Sequence, residues 1–313
     1  VVTIAAAEAA ADLNNITSDI ANFTARFTQT QSFTGDLRGK TAAVADGVTV
    51  TATAAVLDGE TAAAAGNGNI AVTALHSTLA ANLSGLSSAS GTVTAAFDAT
   101  GTFTGNLGTA VVTVADGAVM TAAAIDVAGK TINKINSGAL TVTVRTADAN
   151  VDLTSIAGDA INSVTVKEDL TFTGTLDETV STSIDTSVTL TIAASKVSGK
   201  AVTGTGSLII EALAADTDLA NVNPGGGVTA RVGADLDITD NAFLGDVDTY
   251  VVTGGVTLTA TGAQLNGKTV LGDGSLIVER LVAGTDLTNV NPGGGVTALV
   301  TDNISITGNG TLG

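Results

Sequence analysis

No cysteine and no tryptophan occur in this chain, and tyrosine appears once, as Tyr250. Without cysteine there are neither disulfide staples nor thiolate metal sites. Aromatic residues reach only 3% although 44% of the chain is apolar. The interior must therefore be filled by Val, Ala, Leu, Ile and Thr, which suits thin, layered β structure better than a thick globular core.

Basic residues are scarce as well: twelve Lys and Arg stand against thirty Asp and Glu, a formal charge of −18. Such a field repels phosphate and anionic lipid, so nucleic acid and membrane surfaces are excluded as expected partners. No apolar run approaches the roughly 18 residues that span a bilayer, so membrane insertion is not expected. The opening Val-Val-Thr has no charged segment leading into an apolar one. A soluble, mature product is expected, any targeting segment having been removed or lying outside this sequence.

What is present is repetition. Asp/Asn-Leu-x-x-aliphatic begins at Asp12, Asn82, Asp152, Asp218 and Asp286, giving spacings of 70, 70, 66 and 68. Phe33-Thr-Gly returns at Phe103 and Phe172, and Gly59 has counterparts at Gly129, Gly199 and Gly267. Within a repeat, alternating runs such as Val48-Thr-Val-Thr-Ala-Thr53 lie between Gly and Asn residues, the signature of strands and turns. The whole of 1–313 thus reads as one continuous repeat domain of about five degenerate units of 66–70 residues.

Strands at this spacing make either a parallel β-solenoid or tandem β-sandwiches. The scarcity of Trp and Tyr argues against the sandwich. The chain also begins shortly before its first landmark, Asp12, and stops at Gly313, part-way through the unit that opens at Asp286. A solenoid tolerates such ends because each coil touches only its neighbours. An all-β parallel solenoid is expected, with coils of about 23 residues and coils of about 35 or 12 as alternatives.

Candidate sites are few. In the Asp-Leu-x-x-Ile signature, the Asp or Asn is expected to cap a helical turn whose two aliphatics point inward. The ten letters NVNPGGGVTA occur at 221–230 and, unchanged, at 289–298, and hold both prolines, Pro224 and Pro292. With no Lys inside the glycine run and a strand after it, this is turn chemistry and not a phosphate cradle. Asp235, Asp237 and Asp240, with Asp246 and Asp248, form the only metal candidates, as calcium ligands; the preferred reading is solvated surface, because the next repeat has Asn303, Ser305 and Gly308 at the first cluster. His76 lacks a triad or further zinc ligands and is expected at the surface. No catalytic and no cofactor-binding residue is assigned, calcium being the one cofactor considered, and the chain is read as not an enzyme.

Asn-x-Ser/Thr sequons at Asn15, Asn22, Asn82, Asn303 and Asn309 could carry glycans. Thr-x-Thr pairs raise an ice-binding surface as a lesser reading, but Val119-Met120 breaks the array.

With its acidic, cysteine-free composition and degenerate stretches such as Val256-Thr-Leu-Thr-Ala-Thr-Gly262 and Gly272-Asp-Gly-Ser-Leu-Ile-Val278, the chain resembles the β-solenoid regions of bacterial surface-layer proteins and large secreted adhesins. The resemblance implies an extracellular, cell-surface location and a role in assembly or adhesion. Terminal coils, with Val1-Val2-Thr3-Ile4 in phase with later strands, are the expected junctions between copies, through unpaired edges. The expected function is a self-assembling structural subunit of a surface layer or filament, its partner being itself. The alternatives are an adhesin passenger, or a β-helix that binds or degrades polysaccharide with Tyr250, Asp246 and Asp248 at its site.

Overall fold

In the computed structural model the described residues are 1–4, 10–13, 24–37 and 39–300. The protein is a parallel β-solenoid. Within each compact unit the strand pairings are parallel, so the sandwich alternative, which needs antiparallel neighbours, falls away. The described residues cluster into two compact units, one of Val1–Thr143 with Asp152–Ser163, the other of Val144–Val151 with Val164–Gly313.

In the first unit one sheet stacks Val2–Ile4, Thr24–Phe27, Thr41–Val44, Ala62–Ala64 and Leu86–Ser88. A second stacks Gln31–Ser32, Thr49–Thr53, Asn69–Thr73, Val93–Phe97, Val111–Val114 and Ile132–Lys134, and a third holds Gly101–Phe103, Val119–Ala123 and Ala139–Val144. Coil length is variable. Thr24 lies beside Thr41, Val50 beside Ile70 and Ala62 beside Leu86, so the offsets along the chain are 17, 20 and 24. The expected 23 is therefore the upper part of a range, and neither 12 nor 35 occurs among these offsets.

The variation has a topological result. A repeat holds seven strand or bridge positions shared between two alternating sheets, as in the run of strands from Thr24 to Ser88, and seven is odd. Val93–Phe97 is the repeat counterpart of Thr24–Phe27, yet it pairs in the second sheet, between Asn69–Thr73 and Val111–Val114. The second unit does the same. There Val228–Val232, counterpart of the strand ending at Val166, lies beside Ser207–Glu211 in the sheet that also holds Leu170–Phe172 and Thr189–Ala193.

Strand burial alternates, as in Thr49–Thr53, where Val50 and Ala52 face inward. The core is built from Ala, Val, Leu and Ile with a few Phe rings, Phe27 and Phe33 meeting edge to face at 5.2 Å. Each repeat turns one corner through a single helical turn, at Ala54–Leu57, Ala124–Val127, Ala194–Val197 and Gly262–Leu265.

Candidate functional site

The Asp/Asn-Leu signature forms a capped corner, with the side chain closing a shorter loop than an ordinary helix cap. Asn82, Asp152, Asp218 and Asp286 each accept from the backbone N–H two residues on, at 3.1, 3.0, 3.0 and 3.0 Å. One turn of 3₁₀ type follows, and Leu83, Leu153, Leu219 and Leu287 are buried beneath it together with Leu86, Ile156, Val222 and Val290. These oxygens are occupied by the fold. In the first repeat Leu13 is buried, while Ile16 lies outside the described residues.

Surface carboxylates elsewhere join one coil to the next. Asp46 accepts from the N–H of Asn67 at 2.7 Å, Asp169 from Thr189 at 2.6 Å, and Glu168 from both the N–H and hydroxyl of Thr146, at 3.0 and 2.7 Å. Hydrogen bonds from Thr146 hold the Glu168 carboxyl below its ordinary range. His76 pairs through Nδ1 with Asp98 of the neighbouring coil in the same manner, and is partly exposed as expected.

The calcium candidates divide. Asp235 accepts from the N–H of Thr257 at 2.8 Å, and Asp237 from the N–H and hydroxyl of Thr239 at 2.9 and 2.7 Å, bonds that lower its pKa. Asp240 stands 3.5 Å from Arg280. Each has its own partner, and among the described residues no three His, Asp or Glu side chains converge on one point. Asp246 and Asp248 do come together, lining an open groove of about 650 Å³ with Thr189, Ser207 and the first Pro-Gly-Gly-Gly loop. Asp248 is engaged there, accepting from the N–H of Val228 at 2.8 Å.

The three glycine N–H groups of that loop are already taken. The N–H groups of Gly225, Gly226 and Gly227 donate to the carbonyls of Gly204, Gly206 and Pro224 at 2.7, 3.0 and 3.1 Å. In the second copy Gly293, Gly294 and Gly295 donate to Gly272, Gly274 and Pro292 at 2.6, 2.8 and 3.1 Å. Glycine is required because the coils touch: a Cβ on Gly226 would stand 2.6 Å from the carbonyl of Gly206, and one on Gly294 2.6 Å from the carbonyl oxygen of Gly274. Backbone-to-backbone packing accounts for the glycine at 226 and 294, and a φ of 93° for the one at 227 and 295.

Tyr250 is 1% exposed and offers no aromatic platform to a sugar. Among the described residues the exposed phenylalanine is Phe243, at 58%, beside Asp216, Asp237 and Asp240. Its exposure carries no periodic signal in the sequence, because the segment around it is loop. The threonine array is interrupted as expected: Thr51 has Ala71 beside it and Thr94 next in the row. Asn82 is exposed, whereas the sequon residues Asn15, Asn22, Asn303 and Asn309 lie outside the described residues, as do Ser305 and Gly308. No helix among the described residues is long and apolar enough to cross a membrane. Comparison with known protein families, with curated proteins and with solved structures finds no match.

Proposed function

We propose that the protein is an extracellular structural subunit that assembles by stacking coil upon coil into a layer or filament, and that it is not an enzyme. The observation supporting this reading is the interchangeability of coil surfaces. Strands that correspond across repeats dock in different sheets, Thr24–Phe27 beside Thr41–Val44 but Val93–Phe97 beside both Asn69–Thr73 and Val111–Val114. A coil therefore accepts a neighbour through backbone ladders and aliphatic stacking with little regard to which repeat supplies it. A second copy would meet the same chemistry.

The polar surface agrees with such a role. Its carboxylates are tied to backbone N–H groups of adjacent coils, as at Asp46, Asp169 and Asp235, which suits a scaffold better than a reaction centre. The test is sedimentation and negative-stain imaging of the purified protein across salt and calcium concentrations. Ordered polymers are expected once salt screens the charge of −18. Monomers under every condition overturn the reading.

A further inference from the structure

We propose that the cleft beside Tyr250 binds a small organic carboxylate with a short apolar tail, held between the tyrosine hydroxyl and the Lys268 ammonium. This site is independent of assembly.

The cleft has a volume of about 310 Å³, and Tyr250, Leu244, Val247, Ala263, Gln264 and Lys268 are among the residues that line it. Among the described residues Tyr250 is the largest fully buried side chain, standing where the preceding repeat has the small Thr182. It is almost wholly enclosed, and its hydroxyl has no hydrogen-bonding partner among the described residues. With its ring packed in the core and its hydroxyl unpaired at the cleft, the phenol is available to whatever enters there.

The other polar groups of the cleft are already engaged. Gln264 donates to the carbonyls of Ile238 and Asn241 at 2.6 and 2.9 Å and accepts from the N–H of Thr261 at 2.8 Å. Asn241 donates to the Thr217 carbonyl at 2.9 Å and accepts from the N–H of Phe243 at 2.7 Å. Two groups remain: the phenol and the half-buried Lys268, whose ammonium has no ion pair or hydrogen bond among the described residues.

An ammonium only donates and a phenol can donate, so their common complement is an acceptor with negative charge. A single cation in a chain of charge −18 suits a monoanion better than a phosphate dianion. Leu244, Val247 and Ala263 give an aliphatic tail an apolar wall.

The chain supplies its own probe, because Tyr250 is its only tyrosine and there is no tryptophan. Butyrate, butanol and inorganic phosphate are each titrated into the full chain at physiological salt while tyrosine emission is followed. Saturable quenching or enhancement by butyrate is expected, with butanol and phosphate binding more weakly. Lys268→Gln should weaken butyrate about tenfold or more, as the loss of a charge-assisted bond does. Tyr250→Phe, which fits the same space and removes the emission, is followed by saturation transfer to the butyrate methyl, and weaker binding is expected. No saturable response to butyrate by the folded protein overturns the site. Equal affinity in Lys268→Gln, or butanol or phosphate binding as tightly as butyrate, overturns the assignment of a carboxylate.

Discussion

Asp116 holds Ser137 of the next coil by two bonds, accepting from its hydroxyl at 2.6 Å and from its backbone N–H at 3.1 Å. These bonds and one from Asn136 favour the charged carboxylate and lower its pKa, and equivalent bonds from threonine partners lower those of Glu168, Asp237 and Asp286. A carboxyl whose folded pKa lies below its unfolded value stabilises the fold fully above the unfolded pKa, near 4. That contribution disappears as pH falls through the folded values.

The first prediction is therefore that stability measured by urea denaturation stays flat from neutral pH to about pH 5 and declines below about pH 4. Asp116→Asn should flatten part of that decline while lowering the plateau. An Asp116→Asn curve that runs parallel to wild type at every pH contradicts the assignment of Asp116 as a coil staple.

A second prediction concerns Ser187. The tight turns at Gly47, Gly117 and Gly255 carry φ of 68°, 74° and 79°, and at the corresponding place in the third repeat Ser187 holds φ 63°. An exposed serine pays for a left-handed backbone that glycine adopts freely, by about 1 kcal/mol, part of which glycine loses through its floppier unfolded chain. Ser187→Gly should raise stability by about 0.5 kcal/mol, and Gly117→Ser should lower it by a similar amount. Denaturation midpoints for the two variants moving in the same direction would contradict the account.

The glycine contacts give a third, with a built-in control. Gly226→Ala forces a methyl against the carbonyl of Gly206, at 2.6 Å, and Gly294→Ala does the same at Gly274. Each should destabilise by about 1 to 3 kcal/mol. Gly225→Ala meets nothing closer than 3.5 Å and should be tolerated. Thermal melts of the three variants distinguish packing from a general need for flexibility in the loop.

Tyr250 supplies the fourth. Burial pushes its phenol well above its ordinary pKa near 10. The neutral phenol of the folded state is thus a source of stability present below pH 10 and withdrawn as pH rises past it. Absorbance at the tyrosinate band should stay silent until the alkaline unfolding transition and then appear together with it. Titration near pH 10 in a chain that circular dichroism shows to be folded contradicts the burial.

The solenoid was legible because its causes are local and periodic. Val50 and Ala52 alternate with threonines, and the Leu of each Asp/Asn-Leu corner recurs once per repeat because every repeat needs the same buried anchor. Coil length was less legible, since short and long coils are mixed and only pairing register separates them. Asp248 and Val228 are well separated in the chain and one coil apart in space, so the occupation of that carboxylate could not be read from the Asp-x-Asp spacing. The surroundings of Tyr250 were hidden for a similar reason. Lys268 and Gln264 reach it from the following coil, and neither departs from its own local pattern.

The odd strand count has an evolutionary corollary. When such a gene segment is duplicated, each copied side chain is delivered to a different flank from its parent, so tandem copying cannot by itself build a one-sided row of identical ligands. A lineage needing such a row would first have to gain or lose one strand per module. Proteins that retain seven are instead free to diversify each flank separately, under selection only for the glycines and buried leucines that every layer must keep.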